Sequence, residues 1–118
     1  MARSLETLQQ GSVVSVLFPF SDASDTKRRP AFLIAPSDRN NFIFCPITSK
    51  SGRTDEIEIA DLDFQSGKLN ISPCYIRPNV IATINRNNII RQIALLNQDK
   101  IDETIDRIIV ILQRPFDR

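Results

Sequence analysis

The sequence predicts a mainly β fold, a small curled β-barrel with one α-helix packed across it. Short apolar segments recur roughly every 10 residues with turn residues between them, which is the pattern of many short strands. The segment from Glu56 to Ile59 alternates polar and apolar residues, as a strand does when one face packs and the other is hydrated. The last segment has the spacing of an amphipathic helix instead, and strands followed by one helix favour this architecture.

The predicted strands are short and separated by residues that favour turns. In chain order they are Gly11–Phe18, Pro30–Ala35, Asn41–Ile47, Thr54–Ala60, Cys74–Arg77, Val80–Ile84 and Ile89–Leu95. The second strand is nearly all apolar, so we expect it in the centre of the sheet. A polar loop over Ser21–Arg29 precedes it, and Ser66–Lys68 is predicted to form a turn.

One amphipathic helix is predicted over about residues 98–112. Its apolar stripe, which we expect to be buried against the barrel, consists of Ile101, Ile105, Ile108, Ile109 and Leu112. Asn97 can cap the first turn, and Asp99 suits the positive end of the helix dipole. Pro115 follows the last turn, where a helix usually ends.

A chain of 118 residues is long enough for one domain, and we treat residues 1–118 as a single domain with a core over about 9–113. Its apolar share of 42% and charged share of 25% are those of an ordinary globular protein. No apolar run approaches the ~20 residues that a membrane-spanning helix needs, and the first residues lack an apolar export segment. We therefore expect a cytoplasmic protein without a membrane partner.

The chemistry open to the chain is limited by what the sequence lacks. It contains no histidine, the commonest general base and a frequent metal ligand. Its two cysteines, Cys45 and Cys74, are too few for a disulfide scaffold or a zinc site, and we expect them to be buried, reduced thiols. We therefore expect no metal and no cofactor, and any hydrolytic chemistry must use Arg, Lys, Asp, Glu, Ser, Thr, Tyr or Cys.

The formal net charge is only +1, but the charges are unevenly distributed. The basic residues in or beside the middle segments are Lys27, Arg28, Arg29, Lys50, Arg53, Arg77, Arg86 and Arg91. A nearly neutral protein can present a basic face to phosphate in this way. A solvated mosaic of both signs is equally compatible with the charges alone.

Polar or charged groups stand at the ends of apolar strands in several stretches, and binding sites commonly lie at such positions. The stretches are Phe18–Phe20, Arg28–Pro30, Pro46–Lys50 and Ser72–Asn79, with Thr83–Ile84 beyond the last. Each stretch alone is also compatible with a structural or solvated role.

Taken in order and with this spacing, the stretches resemble the MazF/PemK family of toxin endoribonucleases. The residues that match the family's motifs are Gly11–Val14, Pro19, Arg29–Pro30, Pro46–Ser49 and Thr83–Ile84, so the resemblance covers about residues 9–113. It implies an SH3-like small β-barrel of the MazF/CcdB type, usually a homodimer, whose groove binds single-stranded RNA. It also implies a toxin of a type II toxin-antitoxin system that cuts messenger RNA and has a cognate antitoxin as its partner.

The resemblance implies cleavage by the ribose 2′-hydroxyl, leaving a 2′,3′-cyclic phosphate and a 5′-hydroxyl without a metal. By position, Arg29 matches the family's catalytic Arg, Thr48 matches its Thr at a strand end, and Arg77 matches a catalytic Arg of some PemK-like members. The further residues assigned to RNA binding are Lys27, Arg28, Ser49, Lys50, Ser72, Tyr75, Asn79 and Phe18. The two aromatic residues among them could stack on bases, although packing at the barrel rim is the other interpretation of Phe18.

Two positions depart from the family pattern. Ser12 stands where the family usually has Asp, and Asn79 stands where PemK-like members have an Asp proposed as the general base. An amide cannot take a proton, so that route is missing. Either Asp22 or Asp25 in the polar loop substitutes, or the chain uses the arrangement of relatives in which Arg and Thr dominate, or catalysis is weak.

Two other interpretations share the barrel. A toxin of the same fold that binds a protein target, as the gyrase-poisoning toxins do, would not need Arg29 and Thr48 at strand ends. A plain SH3-like interaction module would need exposed aromatic residues for peptide docking, and aromatic residues make up only 7% of this chain. Cleavage of a synthetic single-stranded RNA in EDTA would separate the endoribonuclease from both.

Overall fold

The fold is given by a computed structural model that describes residues 8–19 and 26–117. Within these residues the elements are β1 Ser12–Pro19, β2 Thr26–Pro36, β3 Asn41–Thr48, β4 Ile57–Ile59, β5 Phe64–Gly67, β6 Cys74–Ile76, β7 Ala82–Asn85, β8 Ile89–Leu96 and α1 Gln98–Leu112. Short 3-10 turns lie at Asp61–Asp63 and Arg86–Asn88. The predicted class, mainly β with one C-terminal helix, is confirmed.

The strands form one curled antiparallel sheet in the order β4-β6-β3-β2-β1-β8-β5, and β7 pairs with β3 off this path. Along one edge the strand β3 pairs with two strands in succession. Its residues 41–44 pair with β7, and Ile47 and Thr48 pair with β6. On its other edge β3 pairs with β2 only as far as Ala31 opposite Pro46. Both strands continue beyond that pair, so their ends are not held together by the ladder.

The strands β1 and β2 are covered on both faces, which explains their nearly continuous apolar runs. Alternate side chains enter two separate clusters. The helix-side core contains Val13, Phe32, Cys45, Ile47, Ile57, Ile59, Leu69, Cys74, Ile76, Ala94, Leu96, Ile101 and Ile108. The second core contains Val14, Val16, Ala31, Leu33, Phe44, Ile84 and Ile89. The predicted central position of the second strand is thereby confirmed.

The helix α1 packs on the helix-side core and has the predicted bounds. The Asn97 side chain accepts a hydrogen bond of 2.9 Å from the Lys100 backbone N–H, so it caps the first turn. Gly11, with a φ of +92°, lies against Ile101 so closely that a side chain here would collide with the isoleucine. No helix in the described part of the chain has the length and apolarity to cross a membrane.

The predicted burial of the helix stripe is wrong at its C-terminal end. Ile101 and Ile108 are buried and Ile105 packs partly on the core, but Ile109 is 46% exposed and Leu112 is 68% exposed. Ile109 is turned about 100° around the helix axis from Ile108. Leu112 lies a further turn beyond the last buried residue, so the helix is longer than the core that it covers.

Strand bounds differ from the prediction where pairing is non-local. Phe64–Gly67 forms β5, an edge strand against β8, where the sequence predicts a turn. Gly67 allows this because its backbone approaches the Ile93 carbonyl so closely that a side chain would collide. The strand β2 begins at Thr26, inside the predicted polar loop, and β4 is limited to Ile57–Ile59.

Both cysteines are free and buried in the helix-side core, as predicted. Burial raises the pKa of the Cys45 thiol to about 12 and also raises the pKa of Cys74. Since the thiolate is the reactive form of cysteine, burial disfavours nucleophilic chemistry at both positions near neutral pH.

An ion pair ties the residues after α1 to the loop between β3 and β4. Arg114 donates to both carboxylate oxygens of Asp55, at 2.9 and 2.6 Å. Arg107 donates to the Asp55 backbone carbonyl at 3.1 Å. Asp55 has a φ of +71°, so the chain turns here and β4 begins only at Ile57. A forked Arg–carboxylate pair fixes geometry as well as charge.

We expect Asp55→Asn to lower the free energy of unfolding at neutral pH, because the amide keeps the shape of the side chain but loses its charge. The Arg114 hydrogen bonds lower the pKa of Asp55. A lowered pKa contributes stability above the ordinary carboxyl value of about 4, and that contribution is lost as pH falls through the folded-state pKa. In urea unfolding, the difference between wild type and variant should therefore shrink as the pH falls below about 4.

The matched control is Asp61→Asn, since Asp61 is exposed and makes no ion pair with any residue that the structure describes. Its effect on stability should be small. Equal losses in both variants, or a loss in Asp55→Asn that does not change with pH, would contradict the proposed role of the ion pair.

Candidate functional site

A cleft of about 350 Å³ opens where β2 and β3 are no longer paired. Arg28–Pro30 of β2 form one bank, and Ile47–Ser49 at the end of β3 form the other. The register would set Pro30 opposite Ile47, directly after the last pair of the ladder. Pro30 has no N–H to donate, so the ladder loses a hydrogen bond at the point where it ends. The sequence thus contains a local cause for the opening.

The interior of the cleft is mostly apolar and reaches across the sheet. Ser15 of β1 and Ile93 of β8 line it, together with Cys74 of β6. The segment between β5 and β6 completes the lining with Leu69, Asn70 and Ile71. The Cys74 thiol donates a hydrogen bond of 2.8 Å to the Ile71 carbonyl, which ties this segment to β6. The cleft therefore has an apolar interior and a polar entrance.

The two arginines of the cleft leave opposite faces of β2. Arg28 pairs with Leu17, on the face that bears Val13 and the helix-side core, whereas Arg29 pairs with Val16 of the second core. Paired residues of an antiparallel ladder project to the same side. Both arginines are exposed at the β2 bank, so the entrance has guanidinium groups on either side of the strand.

Thr48 is oriented as a hydrogen-bond donor on the opposite bank. Its hydroxyl oxygen accepts a hydrogen bond of 3.2 Å from the Lys50 backbone N–H. The hydroxyl hydrogen then remains to be donated elsewhere. By strand alternation Thr48 shares a face with Pro46, which is opposite Ala31, and Ala31 shares a face with Arg29. Arg29 and Thr48 therefore lie on the same face of the sheet and line the same cleft.

The cleft favours anions. Its described lining includes two arginines and no Asp or Glu, and the exposed Lys50 follows directly after Ser49. A guanidinium is charged at every physiological pH, and its fork matches phosphate oxygens. Within the described residues, no group of His, Cys, Asp and Glu is arranged to hold a metal ion.

The structure brings some of the sequence-predicted site residues together. Those that line the cleft are Arg28, Arg29, Thr48 and Ser49. Tyr75 is paired with Thr48 on the neighbouring strand β6. The exposed residues that adjoin the lining in sequence are Lys27, Lys50 and Ser72. The functional roles of all these residues stay predictions.

Other predicted site residues do not line the cleft. Arg77 is half-buried, its backbone N–H donates to the Pro46 carbonyl at 3.0 Å, and its Nε is buried without a hydrogen-bond partner in the described part of the chain. Asn79 is exposed in the turn that follows. The side chain of Phe18, as well as Asp22 and Asp25, lies outside the described residues.

Several cleft residues were not predicted from the sequence. The polar ones are Ser15 and Asn70, and the exposed apolar one is Ile71. Ser15 carries a signal in hindsight, because it interrupts the Val-rich run of β1 with a hydroxyl that is nearly buried. Asn70 and Ile71 have no such signal, since they reach the cleft only through the pairing of β5 with β8 and of β6 with β3.

Solved structures with the same fold include MazF toxins and an endoribonuclease bound to its antitoxin. A MazE-MazF complex from Deinococcus radiodurans has a TM-score of 0.73 at 19% identity, covering 92% of this chain and 97% of that chain. The Mycobacterium tuberculosis toxin MazF-mt6 has a TM-score of 0.65 at 15% identity, covering 89% and 99%. An endoribonuclease with its cognate antitoxin from a mycobacterial species has a TM-score of 0.67 at 10% identity, covering 93% and 97%. At such low sequence identity, the structural similarity shows a shared fold and nothing further.

The family to which the chain belongs is shown by a match to a family model. A search of the curated proteins finds no significant match. Residues 9–112, nearly the whole chain, match the family described as PemK-like, MazF-like toxin of type II toxin-antitoxin system. The match includes both banks of the cleft and all of α1. The chain therefore belongs to the PemK-like, MazF-like toxins of type II toxin-antitoxin systems.

Proposed function

We propose that this toxin is a sequence-selective endoribonuclease that cleaves single-stranded messenger RNA in the cleft between β2 and β3. The observation that supports the proposal best is the pairing of Arg29 with Thr48 in one cleft whose described lining has no carboxylate. A phosphate held there meets a fixed positive charge on one bank and a hydroxyl donor on the other. Those are the groups that a developing phosphorane charge requires.

In the proposed reaction the ribose 2′-oxygen attacks the adjacent phosphorus, and the bond from phosphorus to the 5′-oxygen breaks. The products are a 2′,3′-cyclic phosphate and a 5′-hydroxyl. Arg29 stabilises the charge on the phosphoryl oxygens, and Thr48 donates its hydroxyl hydrogen to one of them. The 5′-oxygen takes up a proton from solvent as it leaves, and Arg29 stabilises the charge that develops on it by donating a hydrogen bond.

The 2′-hydroxyl proton needs an acceptor, and Asn79 cannot serve because an amide is not a base. Asp22 and Asp25 in the segment between β1 and β2 are the carboxylates that we propose for this role. The two strands that this segment joins bear Ser15 and Arg28–Pro30 of the cleft lining. Use of the 2′-hydroxyl also distinguishes RNA from DNA.

We expect Arg29→Gln and Thr48→Val each to reduce RNA cleavage by about 10²–10³, the usual cost of losing one preorganised donor to a developing oxyanion. The measurement is the cleavage rate of a synthetic single-stranded RNA in EDTA, with the ends identified by mass spectrometry. Arg29→Lys should recover only part of the rate, because an ammonium lacks the fork. Unchanged circular dichroism would show that the fold is intact.

Arg39→Gln and Thr54→Val are the matched controls for these two changes. Both residues are exposed and neither lines the cleft. Intact RNA after incubation with active wild-type protein would overturn the proposal and favour the same-fold alternative, a toxin that binds a protein target without cutting RNA. Equal losses in site and control variants would remove the catalytic assignment alone.

We also propose that the cognate antitoxin inhibits by inserting an acidic segment into this cleft, since donors that hold phosphate also hold carboxylates. The residues that would contact the segment are Arg28 and Arg29 in the cleft and Lys27 and Lys50 beside it, whereas Arg77 lies outside the lining. Solved relatives include a MazE-MazF complex and an endoribonuclease with its cognate antitoxin.

Arg28→Glu should therefore weaken antitoxin binding by about tenfold or more, because like charges would face each other where opposite charges met. Isothermal titration calorimetry measures this loss, and Arg39→Glu introduces the same charge away from the cleft. An antitoxin complex that still cleaves short RNA at the wild-type rate would contradict inhibition at this site.

We further propose that the toxin acts in the cytoplasm as a homodimer, which is the usual state implied by the family. Light scattering after gel filtration at micromolar concentration should give twice the chain mass of 13.4 kDa. A mass of one chain under conditions where RNA is cleaved would contradict a groove shared between two copies.

A further inference from the structure

We infer that Arg91 and Lys68 form a second phosphate position at the far end of the cleft, where they bind the RNA backbone beside the nucleotide that is cut. The inference rests on the proposed function, since it names further residues for the same substrate. It concerns binding of the flanking strand and not the chemical step. Neither residue belongs to the catalytic assignment made above.

The direction of the cleft points to Arg91. The cleft runs from Arg28–Pro30 on β2, across Ser15 on β1, to Ile93 on β8. Arg91 is the residue of β8 that pairs with Ser15. Paired residues project to the same side of an antiparallel sheet, so the Arg91 side chain leaves the face on which Ser15 lines the cleft. Arg91 is exposed.

The register of β8 places Arg91 and its neighbour Gln92 on opposite faces of the sheet. Gln92 pairs with Val14, whose side chain enters the second core on the opposite face. A bulge between the pairs at Val13 and Val14 gives Ile93 its position in the cleft. The cation that β8 directs to the cleft face is therefore Arg91, which lies two residues before the cleft-lining Ile93.

Lys68 adjoins the same end of the cleft in the sequence. Gly67, the last residue of β5, pairs with Ala94 of β8, and Lys68 follows it directly before the cleft residue Leu69. Lys68 and Arg91 are both exposed and make no ion pair with residues in the described ranges 8–19 and 26–117. Their charges are therefore not neutralised by a described carboxylate.

The spacing suits a strand that crosses the cleft. The strand β8 lies two strand spacings from β2, which is about 10 Å. One phosphate at Arg28, which leaves the same face of the sheet as Ser15, and another near Arg91 would place the intervening nucleotide over Ser15. Ile71, which is 60% exposed at the cleft, offers an apolar surface to a base there. A phosphate contact of this kind adds affinity and salt dependence without reading the base.

The test measures binding of a 2′-fluoro oligonucleotide, which lacks the nucleophile and so stays intact. Fluorescence anisotropy at several salt concentrations gives the slope of log K against log salt. Arg91→Gln should reduce the magnitude of that slope by about 0.7, the share of one phosphate contact on a single strand. If the variant and the wild type bind equally at 1 M salt, the variant then binds about fivefold more weakly at 0.1 M salt. Lys68→Gln should have a similar effect. Arg39→Gln removes the same charge from the turn between β2 and β3 and should leave the slope unchanged.

A truncation series locates the contact. Shortening the oligonucleotide one nucleotide at a time from each end should give the wild type one step of lost affinity that Arg91→Gln lacks. In cleavage of the natural RNA, Arg91→Gln should raise KM and leave kcat within about twofold, as loss of a uniform binding contact does. Far-UV circular dichroism of each variant confirms the fold.

The outcomes separate this inference from the proposed function. Wild-type protein that binds and cleaves RNA while Arg91→Gln and Lys68→Gln behave like Arg39→Gln would overturn the second phosphate position alone. A fall in kcat with KM unchanged would also overturn it, because that pattern belongs to a contact made only in the transition state. Wild-type protein that neither binds nor cleaves single-stranded RNA would overturn both proposals.

Discussion

The cleft depends on the missing hydrogen bond at Pro30. A central sheet normally keeps its strands paired along their whole length, since unpaired backbone groups inside a sheet are costly. Here the β2–β3 ladder ends at Ala31 opposite Pro46, and Pro30 cannot donate to continue it. The strand β3 takes β6 as its partner at Ile47 and Thr48. Where β3 is no longer paired with β2, it thus keeps a pairing partner on its other edge.

This arrangement explains how a small domain combines a rigid frame with an exposed polar site. The strands β1 and β2 have buried side chains on both faces, so the residues at the β2 bank extend from a well-packed part of the sheet. Thr48 is held on the other bank by the Lys50 amide and by the ladder with β6. Side chains on paired strands are positioned more accurately than side chains on loops, which is what a site needs that acts by preorganised charge.

Local patterns in the sequence predicted the helix α1 and the central strand β2. The Asn97 cap and the apolar spacing located α1, and the nearly all-apolar run before Pro36 located the central strand. Non-local effects were not predictable in this way. The strand β5 exists because Gly67 fits against β8, and Leu112 is exposed because the core ends before the helix does. In the site, motifs identified the two banks, whereas the interior depends on which strands meet there.

The composition of the cleft bears on how a toxin without histidine could act. A guanidinium keeps its charge and a threonine hydroxyl keeps its hydrogen throughout the physiological pH range. Substrate binding and charge stabilisation by such groups do not require a particular protonation state. In the proposed reaction only the removal of the 2′-hydroxyl proton does, and the carboxylates proposed for it belong to the segment joining β1 to β2 and not to the described lining. The groups that bind phosphate and the proposed acid–base group therefore come from different parts of the chain.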